Sequence, residues 1–268
     1  MISIRNLSIT YGRMTSSGRT GETEAVRNVS FQVEKGKLFA LAGESGSGKS
    51  SVLMAIPGLL PDGTRISGDI LLDGTNLITL PEDELNRLRW WRIALVPQGA
   101  MNSFTPVLTV GRHVEEVLEV HLGLSKKASQ QRIEELFRMA GLEPALASRY
   151  PHELSGGQKQ RAAIALALAC DPDYLLCDEP TTALDVITQQ GIVATLKKLV
   201  ETRGLGLLLV SHDLPLAASV CSRLFIMKDG RLVEEGEPRE IVAHPHNPHS
   251  AALVNALLEL EREEESGC

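Results

Sequence analysis

The start of the chain contains two stretches in which apolar and polar side chains alternate. Residues 2–9 and 25–33 follow this two-residue period, which predicts two β-strands. Residues 12–23 between them are rich in Gly, Ser and Thr, and we expect them to form a loop. The pattern therefore predicts a strand, a loop and a returning strand.

Most of the remaining chain alternates between short apolar runs and segments of helical periodicity. Short runs predict strands, and apolar positions that recur every three or four residues predict helices. The predicted strands are residues 38–42, 69–72, 93–96, 174–177 and 206–210, and the predicted helices are residues 49–56, 187–200 and 214–220. This alternation predicts an α/β fold with a mainly parallel sheet covered by helices, beside an antiparallel β subdomain.

Two segments depart from this alternation. Residues 224–227 and 231–235 are joined at Asp229-Gly230, which favours an antiparallel hairpin. Residues 110–140 are helical in period and predict a helical subdomain inserted at about residues 99–160. We expect one core domain over residues 1–240, followed by a helical tail with a charged end over residues 241–268.

The composition of the 268 residues is that of a globular protein, with 43% apolar and 23% charged residues. The net charge of -7 and the 4% aromatic content argue against a nucleic-acid surface, which usually needs a basic face. The longest apolar run, residues 162–170, is far shorter than the roughly 18–20 residues that span a bilayer. The first residues lack a signal-peptide pattern. We therefore expect a cytosolic location, with any membrane role supplied by partners.

The four cysteines are Cys170, Cys177, Cys221 and Cys268. None of them forms a C-x-x-C pair, so the sequence indicates neither a zinc site nor a disulfide framework. We expect the first three to be small buried apolar residues and the last to be a terminal thiol.

Residues 43–50 fit the pattern G-x-x-x-x-G-K-[ST] between a predicted strand and a predicted helix, which predicts a P-loop NTPase core. Glycines let backbone N–H groups approach phosphate oxygens, and the helix start adds partial positive charge. Lys49 supplies a cation for the β- and γ-phosphates of ATP, and Ser50 a hydroxyl for Mg²⁺. The alternative, a plain Gly/Ser-rich turn, is disfavoured by this context. The residues expected at the nucleotide are Gly43, Glu44, Ser45, Gly46, Ser47, Gly48, Lys49, Ser50 and Ser51.

Asp178 and Glu179 end the apolar run of residues 174–177. Two carboxylates after a buried strand are costly unless they meet a cation or water. We expect Asp178 to hold Mg²⁺ and Glu179 to polarise the water that attacks the phosphate. The alternative is a pair of surface carboxylates before the turn at Pro180.

A second glycine-rich segment is Leu154-Ser155-Gly156-Gly157-Gln158, which precedes a helix predicted over residues 159–170. By itself it predicts a helix start capped by serine. Together with the phosphate loop it resembles the signature of the ATP-binding subunits of ABC transporters, and the resemblance covers nearly the whole chain. The resemblance implies that Ser155, Gly156, Gly157 and Gln158 grip ATP held by the phosphate loop of a second, identical or paralogous subunit, in a head-to-tail dimer.

Four further positions match this family. The resemblance implies that Tyr11 stacks on adenine and that Gln98 links Mg²⁺ and water to the helical subdomain. It also implies that Asp185 crosses the dimer interface and that His212 contacts the γ-phosphate. The residues alone leave plainer alternatives open for each: a strand-end tyrosine, a solvated glutamine, a helix cap at Asp185 and a structural histidine.

Two peripheral segments resemble importers of oligopeptides, dipeptides and nickel. One is the loop of residues 98–110, and the other is the tail segment 244–250, where His249 and Ser250 replace the tyrosine and threonine usual in that group. The resemblance implies a motor subunit on the cytoplasmic face of the membrane, working with two membrane-spanning permeases and, indirectly, an extracytoplasmic solute-binding protein. A metal site at the tail histidines is disfavoured, because the intervening prolines fix the backbone and no carboxylate or cysteine cluster joins them.

Two other classes of protein remain as alternatives. A soluble ABC-type ATPase acting on ribosomes or DNA shares this core, but it usually carries two ATPase halves or a long coiled-coil insertion. An unrelated P-loop kinase would lack Ser155-Gly156-Gly157-Gln158 and would need an acceptor site. The sequence therefore favours the importer subunit, with peptides as the expected cargo and nickel as a possible one.

Overall fold

The computed structural model describes residues 1–14 and 20–255. The described chain forms two β-sheets with helices packed on them. The strands are β1 (Ile2–Met14), β2 (Thr20–Val33), β3 (Leu38–Ala42), β4 (Arg65–Leu72), β5 (Thr75–Asn76), β6 (Ile93–Val96), β7 (Tyr174–Asp178), β8 (Gly206–Ser211), β9 (Arg223–Lys228) and β10 (Arg231–Gly236). The α-helices are α1 (Lys49–Ala55), α2 (Glu82–Leu88), α3 (Val110–Leu122), α4 (Lys126–Met139), α5 (Gly156–Ala167), α6 (Val186–Arg203), α7 (Leu214–Val220) and α8 (Pro238–Ala243).

The antiparallel sheet has the strand order β2-β1-β4-β5. It corrects one prediction, because part of the expected loop is strand: Gly12 pairs with Glu22 and Tyr11 with Thr23. The backbone ladder continues through Gly12 and the polar residues 22–24, where the sequence has no apolar alternation to indicate a strand. Residues 15–19 of the predicted loop lie outside the described residues.

The second sheet has the order β10-β9-β3-β8-β7-β6 and is parallel except for the hairpin partner β10. Strands β3, β7 and β8 are buried throughout, which explains their unbroken apolar runs. The turn between β9 and β10 has Asp229 at φ 48° and Gly230 at φ 79°, as the sequence predicts for a hairpin. Because parallel strands end at the same edge, the segments that follow β3, β7 and β8 come together.

The predicted helical region contains two helices. Gly123, at φ 61°, ends α3, and α4 begins three residues later. Helix α5 begins at Gly156 and not at residue 159, because Ser155 caps it and both signature glycines adopt helical conformation. The position of the helical subdomain at about residues 99–160 and the core and tail boundaries stay predictions.

The tail is partly helical. Helix α8 is followed by the irregular residues 244–247 and by helical residues 248–255. Backbone N–H groups of His246 and Asn247 donate to the carboxylate of Glu234 at 2.9 and 3.2 Å, which anchors this segment to β10. The predicted charged helical end, residues 256–268, lies outside the described residues. Within residues 1–14 and 20–255, no helix is long and apolar enough to cross a membrane.

Three of the cysteines are buried, as predicted: Cys170, Cys177 and Cys221. Burial raises the pKa of Cys170 to about 11 and that of Cys221 to about 12, and it raises the pKa of the Cys177 thiol further. These thiols are therefore protonated and behave as small apolar residues. Cys268 lies outside the described residues.

Candidate functional site

The phosphate loop connects β3 to α1 at the edge where the parallel strands end. Gly43 has φ 147° and Gly48 has φ 100°. A Cβ at these positions would lie 2.2 Å from the carbonyl oxygen of Met227 and 2.4 Å from that of Ala25, respectively. Only glycine therefore fits this backbone. Gly48 precedes α1 without a side-chain cap from the described residues, so the N–H groups of the first turn can meet an anion.

Lys49 is buried inside this loop. Its Nζ donates to the carbonyl oxygens of Gly43 and Glu44, both at 2.8 Å, and to Ser47 Oγ at 3.3 Å. Burial lowers the pKa of Lys49, although Glu179, Asp178 and Glu44 act in the opposite direction. The ammonium is thus held where it would meet a phosphate group.

Asp178 ends β7 beside Ser50, and Ser50 Oγ donates to Asp178 Oδ1 at 3.0 Å. Burial raises the pKa of Asp178, although Ser50 and Lys49 lower it. A buried carboxylate whose charged form is destabilised is suited to a cation partner. The sequence places these two residues far apart, and the parallel sheet brings them together.

Glu179 lies one residue further on, in the left-handed region at φ 45°. Three side chains converge on its Oε2: Gln98 Nε2 at 3.0 Å, Thr182 Oγ1 at 3.0 Å and His212 Nδ1 at 3.3 Å. The structure therefore brings together three residues that the sequence predicted for the site, Glu179, Gln98 and His212. Thr182 was not predicted. The available signal was its hydroxyl three residues after Glu179, across the turn at Pro180.

Tyr11 lies on β1 beside the start of α1. Its hydroxyl donates to Ser51 Oγ at 2.9 Å, so the ring is attached to the phosphate-loop helix. The structure thus places both predicted residues at one edge of the site. Stacking of Tyr11 on adenine stays a prediction.

The signature segment forms the start of α5. Ser155 Oγ accepts from the N–H of Gln158 at 3.2 Å, and Gln158 Oε1 accepts from the N–H of Ser155 at 2.9 Å. This reciprocal capping box was foreseen only as a serine cap. The two glycines allow close packing, because a Cβ on Gly157 would lie 2.4 Å from Thr188 Cγ2.

Asp185 lies next to the signature and caps α6. It accepts from the Thr188 N–H at 2.9 Å and from Thr188 Oγ1 at 2.7 Å, and these bonds lower the pKa of Asp185. The helix-cap interpretation of Asp185 is therefore correct at the level of geometry. Its role at a dimer interface, like that of Ser155, Gly156, Gly157 and Gln158, stays a prediction.

The tail histidine His249 lies near the phosphate loop. Within the described parts of the chain, no group of three or more His, Cys, Asp or Glu side chains could hold a metal ion. The side chain of His249 is instead buried, and its Nδ1 lies 3.8 Å from Glu44 Oε1 of the phosphate loop. The sequence did not suggest that the tail reaches this loop.

The residues at the site fit ATP and Mg²⁺. The glycine backbone and buried Lys49 form a cradle that a Cβ would fill, which is what close approach of phosphate requires. Ser50, Asp178 and Gln98 supply hydroxyl, carboxylate and amide oxygens, the ligand types that Mg²⁺ prefers.

The parallel sheet, the glycine-rich loop after β3 and the carboxylates after β7 define a P-loop nucleotide-binding protein. Two solved structures share this fold: a dimeric ATP-binding cassette in a post-hydrolysis state with ADP and phosphate, and a dimeric bacterial ABC transporter cassette. Each has a TM-score of 0.78 and 35% sequence identity, and covers 89% of this chain and 99% of the solved chain. The family model described as "ABC transporter" matches residues 26–182. The chain belongs to the ABC transporter family.

Several relatives carry names from peptide transport. The oligopeptide transport ATP-binding protein OppD of Escherichia coli is 39% identical over 259 residues, which is 95% of this chain and 76% of that protein. The dipeptide transport ATP-binding protein DppD of Haemophilus influenzae is 38% identical over 263 residues, which is 97% of this chain and 78% of that protein. OppD of Mycobacterium tuberculosis is 42% identical over 240 residues, but this chain spans only 39% of its length.

Proposed function

We propose that the chain binds and hydrolyses ATP and thereby powers a multi-subunit ABC importer for peptides. The observation that carries the catalytic part is the arrangement at one sheet edge. Lys49 lies inside the phosphate loop, Ser50 bonds Asp178, and Gln98 and His212 both approach Glu179. The peptide cargo is supported by the names of the relatives and by the resemblance of the tail segment.

In this proposal Glu179 orients and deprotonates the attacking water. The water oxygen forms a bond to the γ-phosphorus while the bond from that phosphorus to the β–γ bridging oxygen breaks, which yields ADP and phosphate. Lys49 holds the β- and γ-phosphates, and His212 senses the γ-phosphate. Ser50, Asp178 and Gln98 would hold Mg²⁺, which neutralises charge on the phosphate oxygens when it is bound.

A second ATP-binding subunit completes the site. Ser155 is exposed at the start of α5, and the signature glycines follow it in the first turn. We infer that they close over ATP on the loop of the partner subunit, which is identical or paralogous. ATP then joins the two subunits, and hydrolysis releases them.

The permeases are proposed to bind at the helical region. An open groove of about 600 Å³ runs beside α3 and α4, and its lining includes Val107, Arg112, Glu115 and Tyr150. Val107, 74% exposed, and Tyr150, 41% exposed, present apolar surface beside this groove. The groove residue Val107 belongs to the loop that follows Gln98, and Gln98 donates a hydrogen bond to Glu179. A structural change at Glu179 could therefore be transmitted through Gln98 and this loop to the permease. The chain would then work at the cytoplasmic face of the membrane, with a solute-binding protein on the other side.

The catalytic assignment is tested with Glu179→Gln. We expect the rate of ATP hydrolysis to fall at least about 100-fold, because the general base is lost, while ATP binding is retained. Phosphate release measures the rate, and light scattering with ATP and Mg²⁺ measures dimer formation, which should persist in the variant. Glu201→Gln on the exposed face of α6 is the matched control and should keep full activity. Full hydrolysis by Glu179→Gln, or persistent monomers in the presence of the proper partner, would contradict the proposal.

The transport assignment needs a separate test. The tagged chain is isolated from detergent-solubilised cells, and the co-purified components are identified. A multi-span membrane protein supports the importer subunit, whereas ribosomes or DNA would support the alternative class.

A further inference from the structure

We propose that Thr182 is a positioning residue that determines which carboxylate oxygen of Glu179 faces the attacking water. The inference rests on the proposed function, because it assumes that Glu179 is the base. Thr182 follows the turn after Glu179, and its Oγ1 donates to Glu179 Oε2 at 3.0 Å. Its side chain is half-buried, so this hydrogen bond is partly shielded from water.

The two oxygens of Glu179 have different surroundings. Oε2 is approached by Gln98, Thr182 and His212, whereas Oε1 accepts no hydrogen bond from the residues that the structure describes. The carboxylate side chain is only 17% exposed, so its orientation depends on these few contacts. Because these side chains hold Oε2, Oε1 is the oxygen that remains to accept the proton of the attacking water.

Thr182 differs from the other two contacts in its place in the chain. Gln98 lies 81 residues from Glu179, in the loop after β6, and His212 follows β8. Both are assigned to the nucleotide in the proposed function, so they must exchange contacts when ATP binds. Thr182 belongs to the same turn, since its N–H donates to the Glu179 carbonyl at 3.3 Å. It therefore moves together with Glu179 and keeps the carboxylate oriented during the reaction.

The backbone of Glu179 adds a reason for such a constraint. A glutamate in the left-handed region at φ 45° is held there by its surroundings, which include the bond from its N–H to the Val210 carbonyl at 3.0 Å. The backbone is thus fixed by β8, and the side chain is fixed by Thr182. Together they aim the carboxylate with little freedom.

The test compares Thr182→Val, which removes the hydroxyl and keeps the β-branched shape, with Thr182→Ser, which keeps the hydroxyl. We expect Thr182→Val to lower kcat about tenfold, the effect of losing a hydrogen bond to a charged group, with KM for ATP changed less than twofold. Thr182→Ser should stay within twofold of wild type. Thr202→Val is the matched control, because its hydroxyl bonds the Lys198 carbonyl of its own helix on an exposed face.

Three results would overturn the inference. If Thr182→Val keeps kcat within twofold while Glu179→Gln is inactive, Glu179 is the base but does not need Thr182. If Thr182→Ser loses as much activity as Thr182→Val, the hydroxyl is not the cause. If Glu179→Gln itself hydrolyses ATP at the wild-type rate, the proposed function fails and the inference fails with it.

Discussion

The phosphate loop and the signature segment are both glycine-rich helix starts, but the chain surrounds them differently. At the phosphate loop, Gly43 and Gly48 have positive φ, and the buried ammonium of Lys49 lies inside the curve of the backbone. At the signature, Gly156 and Gly157 are helical, and an exposed serine already bonds the first turn. One start is a concave anion site made by a single chain, and the other is a capped helix end on the surface.

This difference explains why the phosphate loop can bind a phosphate group within one chain, whereas the signature is proposed to need a partner subunit. A helix start provides N–H groups, but strong anion binding also needs a cation and exclusion of water. The phosphate loop holds the buried ammonium of Lys49, and the backbone carbonyls of Met227 and Ala25 lie against its glycines. At the signature, Ser155 is exposed and Gly156 and Gly157 are half-buried, and the proposed second subunit would bring the phosphate to them.

The largest expected effect is on the free energy of unfolding, and it should differ between a phosphate-loop glycine and a signature glycine. Gly48→Ala places a Cβ 2.4 Å from the Ala25 carbonyl oxygen at φ 100°, so we expect a loss of about 3 kcal/mol in the free energy of unfolding. Gly156→Ala meets two flexible side-chain ends, Leu184 at 3.1 Å and the Met101 sulfur at 3.8 Å, and it should cost less than about 1 kcal/mol because alanine favours a helix. Urea unfolding measures both. Equal losses of unfolding free energy in the two variants would contradict the view that the phosphate loop is strained and the signature is an ordinary helix start.

The next effect is on ATP affinity. Lys49→Ala removes the buried ammonium, and we expect the affinity of the single chain for ATP to fall about 10- to 100-fold. Ser155→Ala should leave that affinity within twofold, because the signature is proposed to contact only the nucleotide of the partner. Titration with a fluorescent ATP analogue at concentrations where the chain is monomeric measures both. A similar loss in both variants would place the signature at its own nucleotide and contradict the proposed dimer.

The smallest effect concerns the capping box. Ser155→Ala removes the acceptor for the Gln158 N–H, and we expect a loss of about 1 kcal/mol in the free energy of unfolding. Ser155→Gly should lose only a few tenths, because glycine is tolerated at a helix cap. Thermal unfolding of the two variants tests this order. If Ser155→Ala is as stable as wild type, the cap does not stabilise α5, and the serine is retained only for the proposed contact with ATP.

Local patterns predicted most of the elements well. Strands β3 and β6 and helix α7 have the predicted bounds, because a short apolar run or a capped amphipathic turn depends mainly on neighbouring residues. The polar extension of the β1–β2 hairpin was wrongly predicted as loop, since its pairing depends on backbone bonds across the strands and not on side-chain alternation. The predicted start of α5 is three residues too late, because glycine disfavours helix and the two signature glycines therefore indicated a non-helical segment.

By itself, the sequence determined the chemistry that is contiguous in the chain: the phosphate loop, the carboxylates after β7 and the signature. Local patterns also predicted most of the strands and helices along the chain, but they missed β5 and α2. Only the tertiary structure decided which distant side chains meet, such as Ser50 with Asp178, Gln98 and His212 with Glu179, and Tyr11 with Ser51. The tertiary structure also revealed Thr182 at Glu179 and His249 at Glu44. The physical reason is that these contacts depend on strand order and loop path, which are set by packing of the whole core and not by any local pattern.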